Sequence, residues 1–353
     1  MTLPIGPLIA AVQTNCHIAD ARHAADLSLC TFLLQMREFY RWEKGLPLGA
    51  ALSRDAIGQW LARREARWAE LEGRDFVPLP GGATGEVDPF DAERLNRLLR
   101  PHGMVYGAGL LGPGRPTFFM ARLEAVRPVA DGITLQVCGA ELARGLIAPP
   151  AALQGNTIVL RRESMARWLW EKFEALGLKK LEGPFRAVSQ AYGLEEDFHA
   201  ALPRLLDEQS RTLVLHEIGE HRAGRWLEPG WAAMRLALHE RRTELLVRAV
   251  RDHIADFTHT LPTLLAESSA SSIHFWFAGF DGVRRQLFPS LADSYRAWCA
   301  GDAGQALQRE VARGALHFTQ LAEQVLALHA QHGAEAGGPI AARLNAPAAV
   351  CGA

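Results

Sequence analysis

Paired cysteines are the first thing this chain lacks. Cys16, Cys30, Cys138, Cys299 and Cys351 are scattered, none forms a CxxC pair, and their odd number gives no disulfide framework. Cys16 and Cys30 therefore read as small core residues of a reduced compartment. A hydrophobic run of membrane-spanning length is also missing, and the N-terminus has neither the basic region nor the apolar stretch of a signal peptide. The expectation is a cytoplasmic protein with no membrane contact. Charge of one sign is missing too: the net formal charge is -1, which argues against a bulk nucleic-acid footprint. No Walker A run and no GxSxG elbow occurs.

What is present suits a soluble globular protein. The 353 residues, 48% of them hydrophobic and 22% charged, suffice for two domains and a substantial core. Pro7 to Lys44 reads as one long helix ended by Gly45 and Pro47, followed by a second from Ser53 to Glu72. On the second, Arg54, Arg63, Arg64 and Arg67 surround Trp60 and Trp68, but Glu65, Glu70 and Glu72 favour a solvated amphipathic face over a nucleic-acid patch. From Gly103 to Arg162 the pattern turns to β, with three to five short apolar or alternating runs bounded by Gly and Pro. Beyond Ser164 it is helical again, including Glu195–Ala223 and Trp231–Leu261, and the Ala/Gly/Pro-rich end reads as a frayed tail. The predicted class is mainly α, a helical domain formed by N- and C-terminal helices with a small central antiparallel β sheet or partial barrel. Its segments are 1–74 (packed on the C-terminal helices), 75–162 (the β insertion), 163–333 (helical) and 334–353 (flexible).

Gly107-Ala108-Gly109-Leu110-Leu111-Gly112 spells GxGxxG, yet Pro113-Gly114-Arg115-Pro116 stands where a pyrophosphate-holding helix would open. The stretch reads as a glycine-rich hairpin, and no nucleotide cofactor is expected.

The strongest chemical signal is Leu215-His216-Glu217-Ile218-Gly219-Glu220-His221. Phe198, Leu202, Leu206 and Leu213 mark an apolar helical stripe whose continuation lands on His216, Glu217 and Glu220. Buried carboxylates need a cation, a shared proton or an arginine. A zinc-protease motif does not fit, because its two histidines stand four apart and these stand five apart. Glu244, Arg248, Asp252 and Asp256 follow at steps of four on the Trp231–Leu261 helix, with His259 three after Asp256; the first helix adds His23 and Asp26. The expected ligand set is His23, Asp26, His216, Glu217, Glu220, Asp252 and Asp256, projecting inward from three helices to hold Fe, Mn or Zn. Such a dimetal site would suit oxidation or metal-assisted hydrolysis of an unspecified small molecule. Two ExxH helices would complete a ferritin-type set, and neither occurs. The bland alternatives stay open: a solvated salt-bridge ladder for Glu244–Arg248–Asp252, a hydrogen-bonded core histidine for His23, and a non-catalytic scaffold or regulatory protein whose buried network locks helix register.

Four stretches carry a resemblance: Asn15-Cys16-His17-Ile18-Ala19-Asp20-Ala21-Arg22-His23, Met36-Arg37-Glu38-Phe39-Tyr40-Arg41-Trp42-Glu43, Tyr106-Gly107-Ala108-Gly109 and Leu215-His216-Glu217-Ile218-Gly219-Glu220. They resemble a bacterial family of about this length, the Sfum-type hypothetical proteins. The resemblance covers most of the chain and implies no activity and no catalytic residue.

Overall fold

A computed structural model describes residues 3–110, 116–179 and 183–352. The chain forms two compact units, Met1–Val129 with Thr134–Ala175, and Ala130–Ile133 with Leu176–Ala353.

The first unit opens with α1 (Ile5–His23), whose Leu8, Val12, Cys16 and Ala19 are buried in one apolar cluster. A single 3₁₀ turn (Ala24–Asp26) breaks the helix expected to run unbroken to Lys44. α2 (Leu29–Glu43) then starts afresh on Ser28, whose hydroxyl accepts from the Thr31 N–H. α3 (Arg54–Leu71) follows, capped by Ser53, and buries Trp60 and Trp68. A two-stranded ribbon, β1 (Leu79–Pro80) with β2 (Glu86–Val87), and α4 (Ala92–Leu99) lead into the main sheet.

That sheet corrects the expected fold. It has five strands, β3 (Met104–Leu110), β4 (Pro116–Pro128), β5 (Thr134–Arg144), β6 (Ala151–Gln154) and β7 (Thr157–Arg161), in the order β3-β4-β5-β7-β6. It is mixed where an antiparallel one was predicted, because β7 inserts beside β5 and runs parallel to it, Thr134 opposite Thr157. The sheet is also no mere insertion in a helical domain. α1 lays its apolar face on β4 and β5, against Phe118, Met120 and Ala143, so the N-terminal helix belongs to the sheet's own core. β3 and β4 pair antiparallel, Gly109 opposite Thr117; residues 111–115, on which most of the expected glycine-rich hairpin turn and its Pro113-Gly114-Arg115 fall, lie outside the described residues.

α5 (Arg162–Lys179) passes from the first unit into the second. The second unit is helical: α6 (Pro184–Tyr192), α7 (Phe198–Leu227), α8 (Gly230–Leu236), α9 (Arg241–Ala255), a π-helical turn (Asp256–Thr260), α10 (Leu261–Ala266), α11 (Ala270–Ala278), α12 (Gly282–Leu287), α13 (Ser290–Cys299), α14 (Gln305–His332) and α15 (Gly337–Asn345). The predicted Trp231–Leu261 helix is thus three pieces. The π turn closes just ahead of Pro262, which has no N–H to give and whose ring crowds the carbonyl four residues back. Phe257, Phe288 and Phe318 are fully buried at the centre of the core. Residues 334–352, expected to fray, pack instead: Ile340, Leu344 and Cys351 are buried, and the Cys351 N–H donates to the Leu287 carbonyl at 2.8 Å. No described helix is long and apolar enough to cross a membrane.

Candidate metal centre

The site forms where α7 and α9 come closest. A Cβ added to Gly219 would stand 2.6 Å from the Ala255 carbonyl oxygen and 3.0 Å from its Cα, so only glycine admits the α9 backbone here. That approach sets His216 and Glu220, one turn apart on α7, against Asp252 in the last turn of α9 and Asp256 at the head of the π turn. One donor atom each from His216, Glu220 and Asp252 lie within 4.8 Å of one another. Donors around an ion at ~2.1 Å stand roughly 3–4 Å apart, so modest side-chain closure would bring the three onto one ion.

The imidazole is held from behind. His216 Nδ1 bonds Asp256 Oδ1 at 2.8 Å, which leaves Nε2 on the side of Glu220, 3.7 Å from its Oε1. Asp256 is fully buried, and its other oxygen accepts from Arg284 of α12; the Trp276 indole of α11 donates to it as well. Arg284 is itself anchored, because its carbonyl takes the His253 ring nitrogen Nε2 at 3.0 Å. His216 and Glu220 keep about a quarter of their side-chain surface exposed, 23% each, so the cluster opens to solvent on the side away from Asp256.

The charges do not balance. The carboxylates of Glu220, Asp252 and Asp256, with Glu217 buried beside them, outnumber the cations His216 and Arg284. Burial alone would depress His216, but the Asp256 carboxylate, followed by Glu220 and Glu217, lifts it to about 10. Asp256 is buried as well, yet His216 and Arg284 hold it well below the usual carboxylate range. Asp252 takes the imbalance: burial first, then the Glu220 charge, push it up to about 6.

Among the sequence-predicted residues the structure brings together His216, Glu220 and Asp252, with Asp256 behind the imidazole. Glu217 is buried beside them and is not one of the three converging donors. His23 and Asp26 belong to the first unit, where they face each other at 3.7 Å, both partly exposed. The set expected from three helices therefore draws its converging donors from two. Arg284 and Trp276 went unread. They stand 28 and 20 residues beyond Asp256 on separate short helices, and no local spacing links them to it.

Fold and site together define a two-unit, mainly helical protein with a curled mixed sheet in one unit and a His/carboxylate cluster in the other. The chain belongs to a family of unknown function, DUF6866. The family's N-terminal domain matches residues 7–161 and its C-terminal domain, which holds the cluster, residues 166–347. Neither a curated protein nor a solved structure matches the chain.

Proposed function

We propose that the protein binds one divalent metal ion through His216 Nε2 and the carboxylates of Glu220 and Asp252. The observation that supports this reading is the clamp on His216: a buried carboxylate fixes Nδ1 and leaves Nε2 3.7 Å from Glu220 Oε1, in a cluster that Asp252 joins, and proteins orient a metal-ligating imidazole by such a carboxylate. One imidazole and two carboxylates suit Mn, Fe or Zn. Three donors fall short of a dimetal set, so the reading is of a single ion with coordination positions left for water or substrate. A bound ion would supply Lewis acidity for hydrolysis or a redox centre for oxidation. The protein's share is to orient His216 through Asp256 and to hold Glu220 and Asp252 at one helix crossing. The free thiols Cys16, Cys138, Cys299 and Cys351 fit a reduced, cytoplasmic setting.

A second reading has its own support. Asp256 accepts from His216, Arg284 and Trp276 at once, which suits a buried ion network that locks α7, α9, α11 and α12 together with no metal. Elemental analysis of protein purified without chelator, followed by titration with Mn, Fe and Zn, separates the two. One ion per chain, lost in the Glu220→Gln/Asp252→Asn double variant, supports the metal; no uptake by wild type leaves the network.

A further inference from the structure

The curled sheet of the first unit does not close. Its outer strands β3 and β6 face each other across a seam bridged by a side chain: Gln154 Nε2 donates to the Ala108 carbonyl at 2.9 Å. One step along β3, the Asn96 amide both donates to the Tyr106 carbonyl and accepts its N–H, each at 2.8 Å. Two side-chain amides thus occupy the free edge of β3, which blocks an added strand there and keeps the seam open. Gly109 makes room for this, since a Cβ there would stand 2.6 Å from Gln154 Nε2.

Beside the seam lies a cleft of about 490 Å³, within the range of small-molecule sites. Its sheet wall carries Gln136, Gln154 and Thr157; α4 and the turn after it supply Arg97 and Arg100. Gln136 is the telling residue. It is 5% exposed, on a strand whose next inward neighbour, Cys138, packs with Val159, and its side-chain amide makes no hydrogen bond to another described residue. The amide is not sealed from the cleft, so a polar group seated there can bond it where no protein group does. The rim adds the charge. Arg97 is paired with Glu93 at 2.6 Å, whereas Arg100 makes no ion pair among the described residues, so the rim keeps a positive charge in surplus.

We infer that this cleft is a binding site for a small organic anion, with its carboxylate or phosphate on Arg100 and a polar group of its body on Gln136. The site is independent of the metal reading, being built wholly from the first unit.

The test is saturation-transfer NMR on the full chain with four probes: phenyl phosphate, ribose 5-phosphate, citrate and, as the neutral control, ribose. At least one anion should give a saturable signal and ribose none; the phosphate esters alone would name a phosphate ligand, citrate alone a carboxylate. Arg100→Ala should weaken that binding at least tenfold. Gln136→Leu should weaken it similarly while leaving the urea midpoint essentially unchanged, because the amide bonds no described residue and the substitution breaks no hydrogen bond within the protein. Both side chains can change without breaking a hydrogen bond seen here, so both variants should fold. The inference is overturned if no anion binds, if ribose binds as well as the anions, or if binding survives both substitutions.

Discussion

Gly219→Ala tests the geometry of the helix crossing with a single methyl group. Two effects oppose each other. Alanine in mid-helix is favoured over glycine by about 1 kcal/mol, so on propensity alone the variant would be more stable. Against this, the new Cβ would stand 2.6 Å from the Ala255 carbonyl oxygen, with Ala255 C and Cα both at 3.0 Å. The obstacles are all backbone atoms at the end of α9, which cannot swing aside as a side chain would. Overpacking of this kind costs ~1–3 kcal/mol, and a contact this short with backbone belongs at the upper end. The net expectation is a loss of about 1–2 kcal/mol, read as a lower urea midpoint at unchanged slope. The same displacement moves His216 and Glu220 away from Asp252, so affinity for a titrated metal ion should fall as well. A variant as stable as wild type or more so would refute the close approach on which the site is built.

Other expectations follow from the surrounding groups. Asp256→Asn removes the charge that His216 and Arg284 share, and stranding a buried partner costs ~3–5 kcal/mol by urea unfolding; a loss under 1 kcal/mol would place Asp256 outside the network. His253, fully buried and held at about 3 by burial and then by Arg284, stays neutral in the fold while the unfolded chain titrates near 6.5. The unfolded state therefore takes up the proton first as pH falls, and stability should decline below about pH 6.5 toward pH 3, by up to ~1.4 kcal/mol per pH unit. His253→Phe should flatten the dependence measured between pH 7 and 5, and an unchanged slope would rule this cause out.

The grouping of His216 and Glu220 with Asp252 and Asp256 was legible in the sequence, because its signal was a conflict between two periodicities. Ionisable residues stood where the apolar stripe of α7 required core, and a second set recurred at helical steps near Asp252. What could not be read was the partnership across the chain. Arg284 and Trp276 reach Asp256 only through tertiary packing, and nothing in the sequence shows that Gly219 is where the α9 backbone lies against α7. The fold was less legible. The break between α1 and α2 contains neither Pro nor Gly, and its one local sign was Ser28 with Thr31 three residues on. Strand periodicity gives faces but not pairing direction, which hid the parallel match of β5 with β7. Apolar spacing on α1 likewise showed a buried face without saying that a sheet would cover it.

The most direct measurement is equilibrium dialysis of chelator-free protein against Mn, Fe(II) and Zn, with the bound metal counted by mass spectrometry and the melting temperature recorded alongside. The metal reading predicts one ion per chain for at least one of the three, a rise in melting temperature as that ion is added, and loss of both effects in Glu220→Gln/Asp252→Asn. A wild-type chain that takes up none of the three, and melts identically with metal and with chelator, would contradict it.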